Sequence, residues 1–282
     1  MNLRAKLLRK LNSFFKVPKH PLFDLQEGSV KSYARWQFDK GEETIKFYLN
    51  HTSAEDMFGG KTVADIGCGA AGKTLYFASF GVKHIYGVEL LENYKQEAET
   101  LAAELGLADK FTFVANDAAR LPFEDSTIDT IILNDAMEHV DEPEEVLREC
   151  MRVLADGGRI FLNFPPYHHP YGLHLQDAIA LPWAHLFFSD KTMITVYKDA
   201  VKNLPNGEER VKFRISECGE KVSFINKMTV RRFKKILKQL ELKPIYYKEV
   251  PLRKKLCLLA KIPYIKEGFL QMAVCVIKKA NP

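Results

Sequence analysis

Several acidic, amide and histidine side chains stand where α/β proteins do their chemistry, at the ends of short apolar runs. Val63-Ala-Asp65-Ile-Gly67-Cys68-Gly69-Ala-Ala-Gly72-Lys-Thr runs from an apolar strand into a glycine-rich turn and then into a helical period. Glycines at such a turn let the backbone approach a ligand closely and adopt dihedrals closed to other residues. Gly67, Gly69 and Gly72 also satisfy GxGxxG, the dinucleotide fingerprint, and Glu89 closes the next apolar run, where a carboxylate accepts from ribose hydroxyls. Asp65 tips the balance between cofactors. A carboxylate two residues before the first glycine repels a pyrophosphate but suits a ligand carrying an amino group and a sulfonium cation. The same turn keeps an NAD-dependent oxidoreductase open as the alternative.

The elements that position these residues follow from periodicity. From Lys61 onward short β runs alternate with helical periods: strands over 62–66, 83–89, 110–115, 128–134 and 158–164, helices over 72–80, 91–105 and 143–155, with Asp156-Gly157-Gly158 read as the stop of the last helix. A helix over 228–240 and strands over 243–250 and 269–278 complete the pattern. Right-handed crossovers make this an α/β, doubly wound, Rossmann-like parallel sheet with helices on both faces. The domain expectation is a helical segment at 1–58, a core at 59–164, an inserted lid or substrate subdomain at 165–222 and a completion of the sheet at 223–282.

The segment resembles the class I S-adenosylmethionine-dependent methyltransferases, of the small-molecule, type 11 kind. Asp65-Ile-Gly67-Cys-Gly69 is similar to their first motif, Gly87-Val-Glu89 to the second and Asn116-Asp117-Ala118-Ala-Arg-Leu-Pro-Phe to the third. Ile128-Asp129-Thr-Ile-Ile-Leu-Asn134-Asp135-Ala-Met-Glu138-His139-Val and Arg152-Val-Leu-Ala-Asp-Gly157-Gly158 resemble the fourth strand and the helix after it. The resemblance implies a seven-stranded sheet whose last strand is antiparallel, with S-adenosyl-L-methionine as cofactor. It further implies that Asp65, Gly67, Cys68 and Gly69 hold the methionine part, that Glu89 binds the ribose and that Leu90 packs on the adenine. Asp117 and Ala118 would meet the adenine edge, and Asn134 the methionine end. A cap or turn role for Asp117 and a loop hydrogen bond for Asn134 are the competing structural readings.

Methyl transfer to an oxygen or nitrogen also needs a proton acceptor, and histidine is suited to it near neutral pH. His139 follows the fourth strand. His168, His169, His174 and His185 lie in the insert, and His139, His169 and His174 are the candidate bases. The run HHx4Hx10H with Asp177 matches no standard ligand spacing, so no metal is assigned. Asn163-Phe164-Pro165-Pro166-Tyr167 departs from the Asn-Pro-Pro-Tyr of adenine and amide methylation by an extra Phe, and it follows the fifth strand. The aromatic and apolar insert (Tyr167, Tyr171, Leu173, Leu175, Ile179, Trp183) is expected to line a pocket for a hydrophobic small molecule, with O-methylation favoured over N- or C-. A non-catalytic module that binds the cofactor is the other alternative.

Composition supports these exclusions. The 282 residues are 46% apolar and 27% charged, an ordinary globular composition. The five cysteines show no CxxC spacing, which fits a reducing, cytoplasmic setting. The net charge of +5 sits in the tail: Arg4, Lys6, Arg9, Lys10, Lys16 and Lys19 meet no acidic residue among the first twenty. The body is near neutral, which disfavours a nucleic-acid substrate. No apolar run reaches the ~18 residues that span a bilayer. Leu3, Leu7, Leu11 and Phe14 or Phe15 recur at helical spacing in residues 1–17, which reads equally as a peripheral contact at the membrane surface and as a helix capping the main domain.

Overall fold

A computed structural model describes residues 2–19, 32–204, 206–216, 221–222 and 225–281. In chain order the elements are α1 (Leu3–Asn12), α2 (Tyr33–Asp39), α3 (Gly41–Ile45), α4 (Ala54–Phe58), β1 (Thr62–Ile66), α5 (Gly72–Ala78), β2 (His84–Glu89), α6 (Lys95–Glu104), β3 (Phe111–Ala115), β4 (Ile128–Asn134), α7 (Pro143–Val153), β5 (Leu154–Phe164), α8 (Ala184–Phe187), α9 (Asp190–Val201), α10 (Gly207–Arg214), α11 (Val230–Gln239), β6 (Pro244–Pro251) and β7 (Leu270–Lys278). The helical segment expected at 1–58 holds α1 to α4, with turns after α3; its residues 1 and 20–31 lie outside the described residues, as does Cys218.

The chain divides into two units. One comprises Val30–Phe164, Phe233–Glu249 and Ala273–Pro282; the other comprises Met1–Ser29, Pro165–Arg232 and Val250–Met272. The seven-stranded sheet has the order β3-β2-β1-β4-β5-β7-β6. β1 pairs in parallel with β2 and β4, β2 with β3, and β4 with β5, while β7 runs antiparallel to β5. This is the α/β, Rossmann-like sheet with an antiparallel last strand that the sequence implies. Four consecutive residues of β1, Val63 to Ile66, are buried, and so are Ile131, Ile132 and Leu133 of β4. Such two-sided burial requires a near-continuous apolar strand covered on both faces. α7 starts on Pro143 at its first turn, with Glu144 and Glu145 beside it and Arg152 in the last turn, as the helix dipole favours.

The start of β5 differs from its expected place. Asp156-Gly157-Gly158 does not stop a helix: α7 ends at Val153, and β5 begins at Leu154, paired with Ile128. The two glycines instead carry a register shift. Gly157 has φ +75°, and a Cβ on Gly158 would meet Asp129 O at 2.9 Å and Ala155 O at 2.8 Å. Only glycine fits that approach.

The other unit has its own core. Ala5 and Leu8 of α1 pack with Leu173, Leu175 and Ile179 and with Met193, Val196 and Tyr197 of α9. Asn12 ties the helix end down: its amide donates to Ala178 O and accepts from Leu181 N. Leu173, Leu175 and Ile179 of the insert are therefore consumed by packing, and the space among them, His185 and Met193 is about 10 Å³, room for one water at most, while Phe187 is left exposed. The expected pocket wall is a core. Asp177 is taken up likewise: it accepts from Tyr197 Oη at 3.1 Å and pairs with Arg210 at 3.2 Å and Arg214 at 3.6 Å, all of them buried.

Candidate functional site

The turn after β1 curls over the end of β2. The amides of Gly67 and Cys68 both donate to Val88 O, at 2.8 and 3.1 Å, and Gly67 and Gly69 take φ of +76° and +55°. Those dihedrals are closed to most side chains, which is the local reason for two of the three glycines. The third has a different cause. A Cβ on Gly72 would lie 1.9 Å from Ala34 O, and the Gly72 amide donates to Gln37 Oε1 at 3.2 Å. Helix α2 crosses at this point, so Gly72 completes GxGxxG because of helix packing, with no phosphate needed to account for it.

The acidic residues converge on this turn. Asp65 is 4% exposed at the end of β1 and accepts from Thr74 Oγ1 at 2.5 Å. Burial raises its pKa to about 6, against the lowering pull of Thr74 and Lys73. Glu89 reaches from the end of β2, where Oε2 accepts from Gly69 N at 3.0 Å and Oε1 from Leu91 N at 3.1 Å. Each oxygen keeps a lone pair for a further donor. Leu90, beside it, is 70% exposed, an apolar side chain in water at the strand's end. Asp117 is exposed, with Oδ1 accepting from Ala119 N at 2.9 Å, and Ala118 is half-buried. Burial also holds the Cys68 thiol well above its usual range.

At the end of β4, Asn134 belongs to a buried polar triad. Its Oδ1 accepts from Tyr48 Oη at 2.8 Å and from Asn163 Nδ2 at 2.6 Å, and Asn163 also donates to Tyr48 Oη at 2.8 Å. The Asn134 amide nitrogen is buried without a partner. Four residues on, Glu138 is 2% exposed with both carboxylate oxygens unpartnered, and burial raises its pKa well above the ordinary value. The Asp135–Glu138 turn lies against the glycine turn: a Cβ on Gly67 would come within 3.1 Å of the Ala136 side chain. Lys73 closes the group on Asp135 at 3.4 Å.

Buried polar atoms left unpaired are costly, and such atoms at the mouth of a site mark where a ligand completes the hydrogen bonding. One amide donor, one buried carboxyl that burial pushes towards its neutral form and the buried Asp65 carboxyl fit a cofactor with an amino-acid end better than a dinucleotide. Residues 64–162 match the family model described as a methyltransferase domain. The match covers about a third of the chain, and the cofactor that goes with such a domain is S-adenosylmethionine. The chain is 33% identical over 144 residues to the probable tocopherol O-methyltransferase, chloroplastic, of Oryza sativa subsp. japonica, covering 51% of this chain and 39% of that protein. It is 30% identical over 162 residues to the sterol 4-C-methyltransferase strm-1 of Caenorhabditis elegans, covering 54% and 48%. The chain thus spans less than half the length of these curated relatives. Among solved structures, a geranyl diphosphate methyltransferase in complex with SAM has the same fold, with a TM-score of 0.54 at 18% identity over 92% of this chain and 96% of that one.

The structure therefore gathers Asp65, Gly67, Cys68, Gly69, Glu89, Leu90 and Asn134 around one sheet edge, with Asp117 and Ala118 following β3. His139 stands on the loop after β4, its Nε2 3.8 Å from Glu138 Oε1. His169 and His174 lie in the 165–232 stretch. His169 is half-buried, its Nδ1 accepting from Tyr171 N at 3.2 Å, and burial with the nearby His185 lowers its pKa to about 4. His174 takes φ +52°. Residues that motif reading missed are Gln37, Tyr48, Thr74 and Glu138. Glu138 and Thr74 lie inside quoted motifs, whereas Gln37 comes from α2 and Tyr48 from the turns after α3, with no motif to flag them.

Proposed function

We propose that this chain transfers the methyl group of S-adenosylmethionine to a small apolar acceptor, with oxygen the favoured receiving atom. The observation that carries the reading is the pair of carboxylates on one glycine turn, Asp65 buried behind it and Glu89 bonded to its Gly69 amide. That turn attracts a cation and repels a pyrophosphate, which separates this reading from a nicotinamide dehydrogenase. When bound, the cofactor supplies a methyl carbon activated by its sulfonium. The protein's part is then alignment and exclusion of water.

In this reading Asp65 and the Gly67–Gly69 backbone grip the methionine end, and the free Asn134 amide donates to its carboxylate. Glu89 accepts from the ribose, Leu90 covers one adenine face, and Asp117 and Ala118 border the adenine edge. His139 receives the acceptor's proton. His169 is the weaker choice, because a base with a pKa near 4 has little affinity for a proton at neutral pH. The apolar character of the acceptor is supported by the names of the relatives, a tocopherol and a sterol methyltransferase.

Isothermal titration of the folded protein with S-adenosylmethionine tests the cofactor, and absence of binding refutes the proposal. Transfer of a radiolabelled methyl group to a panel of phenols, sterols and amines tests the acceptor. Labelling of amines alone would refute the preference for oxygen.

A further inference from the structure

Helix α1 is fixed in rotation, and three of its four leucines are left exposed. Ala5 and Leu8 are fully buried in the unit's core, Arg9 pairs with Asp199 at 2.9 Å, and Asn12 is bonded to both Ala178 and Leu181. Leu3, Leu7 and Leu11 recur every four residues on a different face, and Phe14 continues their line. Leu3 is 82% exposed and Phe14 76%, with Leu7 and Leu11 also exposed. An ordinary surface helix turns its apolar stripe inward and leaves the rest to water. Here the inward face holds Ala, Leu and Asn, and the leucine stripe is left in solvent.

A second segment of the same unit repeats the combination. Between Leu252 and Lys266 the chain forms short 3-10 turns, with Leu258 72% exposed and Tyr264 fully so. The first segment and the chain just after the second meet a common strip: Asn12 bonds to residues 178 and 181, while Trp183 donates to Gly268 O at 3.0 Å and packs on Phe269, two and three residues past Lys266. Neither segment carries an acidic residue. Arg4, Lys6 and Lys10 flank the first stripe, and Arg253, Lys255 and Lys261 the second.

We infer that α1 and residues 252–266 form a docking surface for an anionic lipid bilayer. Apolar side chains alternating with cations, with no acidic residue between them, match a headgroup layer of negative charge over hydrocarbon. Leucines and aromatics enter the acyl boundary while Lys and Arg stay among the phosphates. Among the described residues no helix is long and apolar enough to cross a membrane, so the contact is with the surface. The inference holds for whatever reaction the methyltransferase domain performs.

The test uses the full chain in flotation with vesicles of phosphatidylcholine, with and without phosphatidylserine, at low and high salt. Binding is expected with phosphatidylserine, at least tenfold tighter than without it, and is expected to fall at high salt. The Lys6→Gln/Lys10→Gln pair, which alters no apolar contact, should weaken it by about fivefold per charge, the equivalent of ~1 kcal/mol for each basic residue. Leu3→Glu/Leu7→Glu and, separately, Leu258→Glu/Tyr264→Glu should each cost tenfold or more, with thermal melting and S-adenosylmethionine binding unchanged because these side chains face solvent. Three results would overturn the inference: no binding of the wild type to phosphatidylserine vesicles, equal binding by the variants, or a wild-type dimer in sedimentation that Leu3→Glu/Leu7→Glu converts to monomer. The last would assign the stripe to a second copy of the chain.

Discussion

Replacing Asp65 with asparagine should make the protein more stable and a poorer cofactor binder at the same time. Burial raises the folded-state pKa of Asp65 from 3.8 to about 6. The folded state therefore holds this proton more tightly than the unfolded chain does. Its favourable contribution is complete below about pH 4 and is lost as pH rises through 6, which leaves an ionised, desolvated carboxylate at pH 7. At ~1.4 kcal/mol per pKa unit the penalty relative to a neutral group is at most about 3 kcal/mol. The side chain introduced by Asp65→Asn carries no such charge, and its carbonyl still accepts from Thr74. The variant should gain up to that amount in chemical denaturation at pH 7, and the gain should vanish near pH 4. Cofactor binding requires the ionised form, so the wild-type affinity should drop about tenfold between pH 7 and pH 5, as the ionised fraction falls from about nine-tenths to one-tenth. In the Asp65→Asn variant titration calorimetry should show that slope gone, with affinity weaker by about 1.5 to 3 kcal/mol at pH 7. A pH-independent wild-type affinity, or a variant less stable than wild type at pH 7, would refute the reasoning.

Other substitutions probe the supports. Gly72→Ala places a Cβ 1.9 Å from Ala34 O, so α2 must shift; a loss of about 1 to 3 kcal/mol in urea unfolding is expected, and full stability would show that α2 yields freely. Tyr48→Phe removes the donor to Asn134 and the acceptor for Asn163 inside a buried triad, and should cost about 1 to 3 kcal/mol by the same measurement. His168 lies 2.9 Å from Glu267, whose carboxylate raises its pKa above 6.5. That pair stabilises below the ordinary histidine value and fades as pH rises past the raised one. Because His168 is half-exposed, His168→Gln should lower the melting temperature slightly at pH 5.5 and not at pH 8.5; an equal drop at both would assign the effect to packing.

The sheet is legible in the sequence because its signals are local. β1, β2 and β4 are apolar runs ended by a glycine turn, a Glu or an Asn, and their observed bounds lie within a residue of those read from the sequence. The start of β5 is not legible in the same way. Asp-Gly-Gly punctuates a strand irregularity as readily as a helix end, and only the contact between Gly158 and Asp129 O tells the two apart. Motifs single out candidate cofactor residues but do not explain Gly72, since the helix it accommodates lies more than thirty residues upstream. In the insert, composition signals an apolar body but not its use. Whether leucines such as Leu173 and Leu175 line a cavity or fill a core depends on partners, Ala5 and Leu8, far away in the chain. In the tail the apolar stripe is visible from spacing alone, but the face that packs is the one bearing Ala5, Leu8 and Asn12.

Helix α1 also has a history during synthesis. Its ion-pair partner Asp199 lies 190 residues after Arg9, and the ribosome adds about 5 to 20 residues per second, so roughly 10 to 40 s pass before that partner is made. Throughout that interval both of its faces are bare. Until then a cationic, leucine-rich segment of ten residues has too little length to hold a helix by itself, so α1 takes its form only as its late-made partners arrive.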